Sequence, residues 1–568
     1  MSLTLSGAAL ASAGGDPGLW LVPNWARADA VTGRPSAGHV NQLTRDLFIT
    51  KEVRACVRQI VTGEPERLQL VIGPAGSGKS AIMGMLIRAT ERKTIPVDFI
   101  CAAVFLDAAS GPESVAEELA TQLTRTLDGF KEASATTART LTENQQRSLG
   151  AFDRMVTLPL AAVRTDEPFH IIIDGLDQPD IGNRESLIDA ISAMTTNAQL
   201  PDLCVIVGVR EGTGVEVDPR LGHGSTVRIG LPSTQVVMEA VAQQRKDLAR
   251  TEIGAVTSPH GSIVGGWLIA RLLTEISQLP PEWSADDSST LSRAISQRIE
   301  DASALPEHSV ISTERVHEFL AIVAAAGVGP VLPIEVAHAA FGNLGSDAIS
   351  RPTLRGLITS LGSLIVRAAP STNDERIGLA HLAFSGPVAE HITVDLTAAH
   401  LAIANSLTPQ GSSQMLAYRA KAGARHLALG GRAGDAVALV DAVQSDRPID
   451  NLTRWTALLP ELPTTDSDDT LTTRHNIAYW RGQSGDPAGA LTELELLLPD
   501  RQRILGSDHP ETLRTRNNIA FWRGRAGGKA GALTAFELLL PDQHRILGPD
   551  HPDTLTTQKW IAYLQSQM

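Results

Sequence analysis

Cysteine is scarce in this chain. It has three in 568 residues, Cys56, Cys101 and Cys204, widely spaced and odd in number. That count excludes a disulfide framework and offers no cluster of metal-ligating thiols, so a reducing cytoplasm is the compartment it implies. Basic charge is in deficit, with 49 Lys and Arg against 63 Asp and Glu, a net charge of -14 and a pI near 5.6. This balance argues against a surface built to track nucleic acid, while leaving room for a local basic patch. Long apolar runs are missing as well. The longest, FLAIVAAAGVGPVL from Phe319 to Leu332, has 14 residues and contains Gly and Pro. A membrane-spanning helix needs ~18, so this run reads as a buried helix followed by a turn, and no membrane partner is expected. The N-terminal ALASA stretch lacks the basic flank of a secretion signal.

What is present is ordinary for a globular protein, 43% hydrophobic and 20% charged, at a length that calls for several domains. Residues 1–45 are rich in Gly, Ala, Ser and Pro without a period and read as a flexible leader. From 46 to 225, short apolar runs alternate with helical stretches, the pattern of an α/β domain with a mostly parallel sheet. Its candidate strands are LQLVI (68–72), FICAAVFL (99–106), FHIIID (169–174) and LCVIVGV (203–209). Three are near-continuous apolar runs, as strands buried on both faces should be. Residues 226–305 look helical. Residues 306–395 mix helices with two strand-like runs, SLIVRA and RIGLAHLAF, and everything from 396 onward reads as helix, a spacer of diverged hairpins to 465 and repeats from 466 to 568.

The strand LQLVI runs into GPAGSGKSA, in which Gly73, Gly78, Lys79 and Ser80 satisfy G-x-x-x-x-G-K-[ST]. A strand before it and a helix after it give the pattern its physical sense. Backbone N–H groups of Gly73, Pro74, Ala75, Gly76, Ser77, Gly78, Lys79, Ser80 and Ala81 (Pro74 excepted) can close around phosphate oxygens at a helix N-terminus. Lys79 reaches the β- and γ-phosphates, and the Ser80 hydroxyl ligates Mg²⁺. The expected cofactors are therefore ATP or ADP with Mg²⁺. The plainer reading is a glycine-rich turn without a ligand. A second acidic group for the metal is needed at the end of another buried strand, and Asp174 of FHIIIDGLDQ supplies it. Many mechanical ATPases place a Glu next, to align the attacking water; here Gly175 stands there. Asp177 is the next acid and is the candidate to orient water. Gln178 is neutral and cannot act as a base. Slow turnover suits a latch better than a motor.

The C-terminal end repeats with a period of 42. TLTTRHNIAYWRG begins at Thr470, TLRTRNNIAFWRG at Thr512 and TLTTQKWIAYL at Thr554, and 29 of the 42 positions of the first unit recur in the second. Each full unit has a helix ending at a glycine (Gly485, Gly527), then a second helix, then a short PDRQRILG or PDQHRILG segment leading to DHP. Asp486 and Pro487 supply an N-cap and N1 proline for the second helix. Such pairs bury their apolar faces only by stacking into a solenoid. Ile477, Ala478, Gly485, Ala490 and Leu494 resemble tetratricopeptide repeats, of the kinesin-light-chain-like variety found in actinobacterial proteins. That resemblance implies a protein or peptide ligand at the repeats.

DGLDQ after its apolar run resembles the corresponding region of STAND-type NTPases, particularly the NACHT group, whose usual form is D-G-x-D-E; Gln178 departs from it. LFITKEVRACVRQI (47–60) resembles the segment that precedes the loop and contacts adenine. LCVIVGVREG ends in Arg210, where the family carries an arginine that reads the γ-phosphate; otherwise Arg210 is a solvated strand-end charge. GSIVGGWLIARLL (261–273) resembles the lid helix, and 311–395 resembles the family's winged-helix domain. There His381 matches a histidine that binds the β-phosphate of ADP; otherwise it is a structural histidine. The resemblance implies an α/β P-loop NTPase domain followed by a helical lid, a winged helix and an all-α repeat solenoid. It implies a slow ATPase serving a signalling switch that forms a homo-oligomer when ATP-bound, in bacterial defence or regulation. The rivals are an AAA-like ATPase machine, a transcription regulator, and a repeat scaffold with a vestigial ATPase.

Overall fold

The computed structural model describes residues 50–62, 66–91, 99–107, 110–165, 168–179, 181–245, 266–277, 289–304, 311–345, 349–368, 372, 373, 375–462 and 466–567. The leader read at 1–45 lies outside the described residues, as does part of the segment read as a lid. The chain divides into two compact units: 50–140 with 151–421, and 141–150 with 422–567. The ten residues from 141 to 150 fall within the stretch read as one α/β domain, yet they group with the C-terminal helices. Arg447 holds them there, donating to the carbonyls of Gln146 (3.2 Å) and Leu149 (2.9 Å).

The first unit is built on a five-stranded, all-parallel sheet: β1 (Leu68–Gly73), β2 (Ile100–Phe105), β3 (Phe169–Asp174), β4 (Leu203–Arg210) and β5 (Ser225–Arg228), in the order β2-β3-β4-β1-β5. The four apolar runs read from the sequence become β1 to β4. β5 was not read, because STVR is short, polar and half exposed at the sheet edge. Both faces of the sheet are covered. Helices α1 (Lys51–Thr62) and α2 (Lys79–Glu91) bury Val57, Ile60, Ile82 and Leu86 against Val71 and Ile206 on one side. On the other, α3 (Pro112–Thr126) and α4 (Ile181–Thr196) bury Leu119 and Ile188 against Val104, Ile171 and Val205. Burial on both faces is why these strands are apolar at nearly every position.

Register decides what the sheet edge presents. Gly73 pairs with Arg210 and Asp174 pairs with Gly208, so residues scattered over 137 positions end side by side at the C-terminal edge. After the sheet come helices α5 (Thr234–Gln244), α6 (Gly266–Glu275) and α7 (Ser289–Ala304). A three-stranded antiparallel sheet follows, β6 (Leu332–Pro333), β7 (Ile365–Ala368) and β8 (Arg376–Leu379), ordered β6-β8-β7 and flanked by α8 (Thr313–Ala326), α9 (Ile334–Leu344) and α10 (Arg351–Ser360). Only the first four residues of RIGLAHLAF are strand; from His381 the chain turns into a short 3-10 segment.

In the second unit the repeats are helix pairs: α11 (Asp468–Gln483) with α12 (Pro487–Ile504), α13 (Pro510–Arg525) with α14 (Lys529–Ile546), and α15 (Pro552–Ser566). Asp486 caps α12 by accepting from the Gly489 N–H at 2.8 Å. Gly485 and Gly527 adopt positive φ where α11 and α13 end, as helix C-termini favour. The PDRQRILG and PDQHRILG segments are not separate. Each helix runs through its proline, Pro499 or Pro541. Both prolines are exposed, as is Glu495 four residues before the first, so the carbonyl that proline leaves unpaired faces water rather than core.

Candidate functional site

The loop between β1 and α2 closes tightly. Gly76 and Gly78 hold φ of 80° and 92°, a region that side-chain-bearing residues rarely enter. Ser77 donates its backbone N–H to the Pro74 carbonyl at 3.3 Å, and its buried hydroxyl has no hydrogen-bond partner. Lys79 Nζ spans the loop, donating to the carbonyls of Gly73 (2.6 Å) and Pro74 (3.2 Å). Burial lowers the Lys79 pKa, and the nearby carboxylates of Asp174 and Asp177 oppose that shift. An ammonium folded onto carbonyls and an orphaned hydroxyl are what a phosphate-binding loop has to offer an anion. The residues present fit a nucleotide.

Asp174 ends β3, fully buried. Burial raises its pKa, and a hydrogen bond from Ser80, with the charge of Lys79, pulls it back. Ser80 and Asp174 thus stand together as two hard oxygen donors. Two protein ligands suit Mg²⁺, which keeps water and phosphate oxygens for the rest of its octahedron. The space for the Asp174 carboxylate exists because residue 208 is glycine. A Cβ there would lie 1.8 Å from Asp174 Oδ1. Gly208 escaped the sequence reading, although a glycine inside the apolar run LCVIVGV marks a close approach.

Asp177 does not stand free. Its Oδ1 accepts the Arg210 backbone N–H at 3.1 Å, its Oδ2 lies 3.6 Å from Arg210 Nε, and Gln178 Nε2 donates to the same Oδ2 at 3.3 Å. Arg210 is therefore tied to the sheet edge, with its side chain 26% exposed.

His381 follows the antiparallel sheet, 302 positions after Lys79, and still reaches this place. Its Nδ1 accepts the Ala383 N–H at 3.0 Å, which leaves the proton of the neutral ring on Nε2. Burial first, and then the charges of Lys79 and Arg210, lower its pKa to about 4. A cavity of about 530 Å³ joins these groups. Gly76, Gly78, Lys79, Ser80, Ala81, Asp174, Asp177, Arg210 and His381 line it, and Val53, Ile82, Met85 and Val241 supply an apolar part. Gly73, Pro74, Ala75 and Ser77 frame the loop without lining the cavity. Trp267, also missed, lines it at the start of α6. Its backbone N–H donates to the Gly76 carbonyl at 2.9 Å, and its ring would meet a Cβ on Gly78 at 3.2 Å.

The family described as Nephrocystin 3, N-terminal, matches residues 50–208, and Tetratricopeptide repeat matches 470–511 and 512–553. The first match includes the phosphate loop and Asp174 and stops short of Arg210. No curated protein matches the chain. Among solved structures, a Walker-type ATPase of Pyrococcus abyssi is 15% identical over 61% of this chain and 96% of its own, with a TM-score of 0.28. The Aeropyrum pernix ORC1 protein in complex with DNA is 16% identical over 62% of this chain and 96% of its own, also at 0.28. A kinesin light chain of Podosopora anserina with nearly identical TPR-like repeats is 19% identical over 32% of this chain and 79% of its own, at 0.19. The chain carries a parallel α/β domain with the loop G-x-x-x-x-G-K-S and, at its C-terminal end, tetratricopeptide repeats. Among the described residues no helix is long and apolar enough to cross a membrane.

Proposed function

We propose that this protein is a nucleotide-regulated switch of the STAND type, close to the NACHT group, that binds ATP or ADP with Mg²⁺ and turns ATP over slowly. The observation that carries the reading is His381. A histidine just after the antiparallel sheet, with its ring proton on Nε2, lines the cavity formed by the phosphate loop, Asp174 and Arg210, and its pKa is lowered by burial and then by the same two cations that would hold phosphates. Contact between that sheet and a bound diphosphate would exist only while the two are together. A switch requires an interaction of that kind, one that belongs to a single state.

In this reading the loop from Gly73 to Ala81 holds the phosphates, Ser80 and Asp174 hold the metal, and Arg210, kept in place by Asp177, meets the γ-phosphate. Helices α5 to α7 serve as the lid, and the sheet β6-β8-β7 with α8 to α10 as a winged helix. The domain limits follow as 46–225, 226–305, 306–395, 396–465 and 466–568, with a leader before them. The repeats take a protein or peptide ligand whose binding releases the closed state, and the ATP-bound protein self-associates.

Losing a hydrogen bond to a charged group, ~1–3 kcal/mol, tilts a two-state balance by roughly 5- to 150-fold. His381→Ala should therefore lower ADP affinity, speed ADP release and raise self-association without stimulus. ADP off-rate and melting temperature, measured on the same variant, separate a latch from a packing residue. A lower melting temperature with an unchanged off-rate would end the proposal. The nucleotide that co-purifies, and the mass of the particle in ADP and in ATP, test the switch itself.

A further inference from the structure

We infer that Gln178 supplies the acceptor that orients the attacking water, and that Asp177 is a positioning residue acting through Gln178 and Arg210. The inference rests on the nucleotide reading of the cavity. A carboxylate only accepts hydrogen bonds, and both oxygens of Asp177 already accept one, from Arg210 and from Gln178. Oδ1 takes the Arg210 N–H at 3.1 Å, and Oδ2 takes Gln178 Nε2 at 3.3 Å with Arg210 Nε at 3.6 Å. The same constraint fixes which way the glutamine amide faces. The end toward Asp177 must be the NH₂, so Oε1 points elsewhere. That Oε1 is buried without a partner, and Gln178 lines the cavity beside Asp174 and Lys79. Ser363, another lining residue with an unpartnered buried oxygen, belongs to a different neighbourhood, its backbone N–H held by Glu275 of α6 at 2.8 Å.

Gly175 explains how residue 178 comes to stand here. The Gln178 N–H donates to the Gly175 carbonyl at 2.8 Å, closing a tight turn. A Cβ at position 175 would lie 3.0 Å from Gln178 Cγ. The missing side chain after Asp174 therefore makes room for the glutamine stem. The site keeps a water-orienting acceptor, delivered from three residues later.

A neutral amide accepts one hydrogen of a water and aims its oxygen; it takes no proton. The water oxygen forms a bond to the γ-phosphorus. The bond from that phosphorus to its bridging oxygen breaks, and the electron pair leaves on ADP. The water proton passes to the oxygens of the inorganic phosphate released. Orientation without a base predicts slow turnover.

The test compares wild type, Gln178→Ala and Asp177→Asn in the full chain. Single-turnover ATP hydrolysis, affinity for a non-hydrolysable ATP analogue with Mg²⁺, and melting temperature are measured on each. Gln178→Ala should slow hydrolysis on the order of 100-fold, with analogue affinity within about threefold of wild type, as expected for a group that acts only on the water. Asp177→Asn should slow hydrolysis and also weaken analogue binding, because Arg210 loses its anchor. Hydrolysis at the wild-type rate in Gln178→Ala would overturn the inference, as would a wild type that binds the analogue and does not hydrolyse ATP. If wild type fails to bind the analogue at all, the nucleotide reading itself fails.

Discussion

Two buried polar clusters, one at the edge of the parallel sheet and one in the first repeat, leave their hydrogen-bonding capacity in different states. In the repeat, Arg501 is fully buried, its Nε has no partner, and its two terminal nitrogens reach the Glu511 carbonyl (2.7 Å), the Glu511 carboxylate (2.9 Å) and the Leu471 carbonyl (3.3 Å). At the sheet edge, Ser77 Oγ and Gln178 Oε1 have no partner, and Lys79 is folded onto its own loop. One period further on, Gln543 replaces Arg501, fully buried with both amide atoms unpartnered. Unmet capacity therefore does not by itself mark a functional site. The cavity separates the cases: Gln178 lines one, whereas Gln543 is an amide too short to repeat the contacts its counterpart makes.

Acid should have the largest effect, and it acts on both regions. His170 and His381, both in the first unit, have pKa values lowered to about 4, mainly by burial, against ~6.5 unfolded. Between pH 6.5 and 4 the unfolded chain takes up protons that the folded unit refuses. Stability is thus full above pH 6.5 and falls as pH drops through that window, by roughly several kcal/mol for two such groups. His475 in the second unit is lowered in the same direction by burial, so both regions weaken. His381→Ala should flatten the pH slope of the first unit only. An unchanged slope in urea titrations at pH 7, 5.5 and 4.5 would show that this ring is not held neutral.

Next in size is Lys79→Ala. Removing a charged donor from phosphate should cost at least ~1.5 kcal/mol of ATP binding, roughly tenfold, visible by calorimetry, with the melting of the repeats unchanged. Arg501→Gln should convert the first repeat toward the state of the second and destabilise it by about 1–3 kcal/mol. The smallest effect runs the other way. Gln543→Arg should stabilise the second repeat by about 0.5–1.5 kcal/mol, provided the longer side chain reaches the Leu513 carbonyl and Asp553, which stand one period after the Arg501 partners. A fall in melting temperature would show instead that the second repeat cannot accept the charge.

Much of this was legible without coordinates. Four apolar runs gave four strands because strands buried on both faces carry apolar residues at nearly every position. The phosphate loop could be read because its glycines, lysine and serine are contiguous. The repeats could be read because recurrence at 42 residues needs no knowledge of space. The prolines of α12 and α14 misled, since their cost depends on whether the orphaned carbonyl meets water, and that is a matter of exposure.

What the sequence by itself determined, then, is whatever depends on neighbours along the chain: the strands, the phosphate loop, the helix caps at Asp486 and Gly485, and the period. The tertiary structure alone decided the rest. Parallel register set Gly208 against Asp174 and Arg210 beside Gly73. The chain leaving the antiparallel sheet brought His381 to the cavity that Asp177 and Gln178 line. The physical reason is common to all of these. A carboxylate, an amide and an imidazole acquire their roles from the donors and charges that face them in a buried space, and a parallel sheet recruits those partners from strands far apart in the chain.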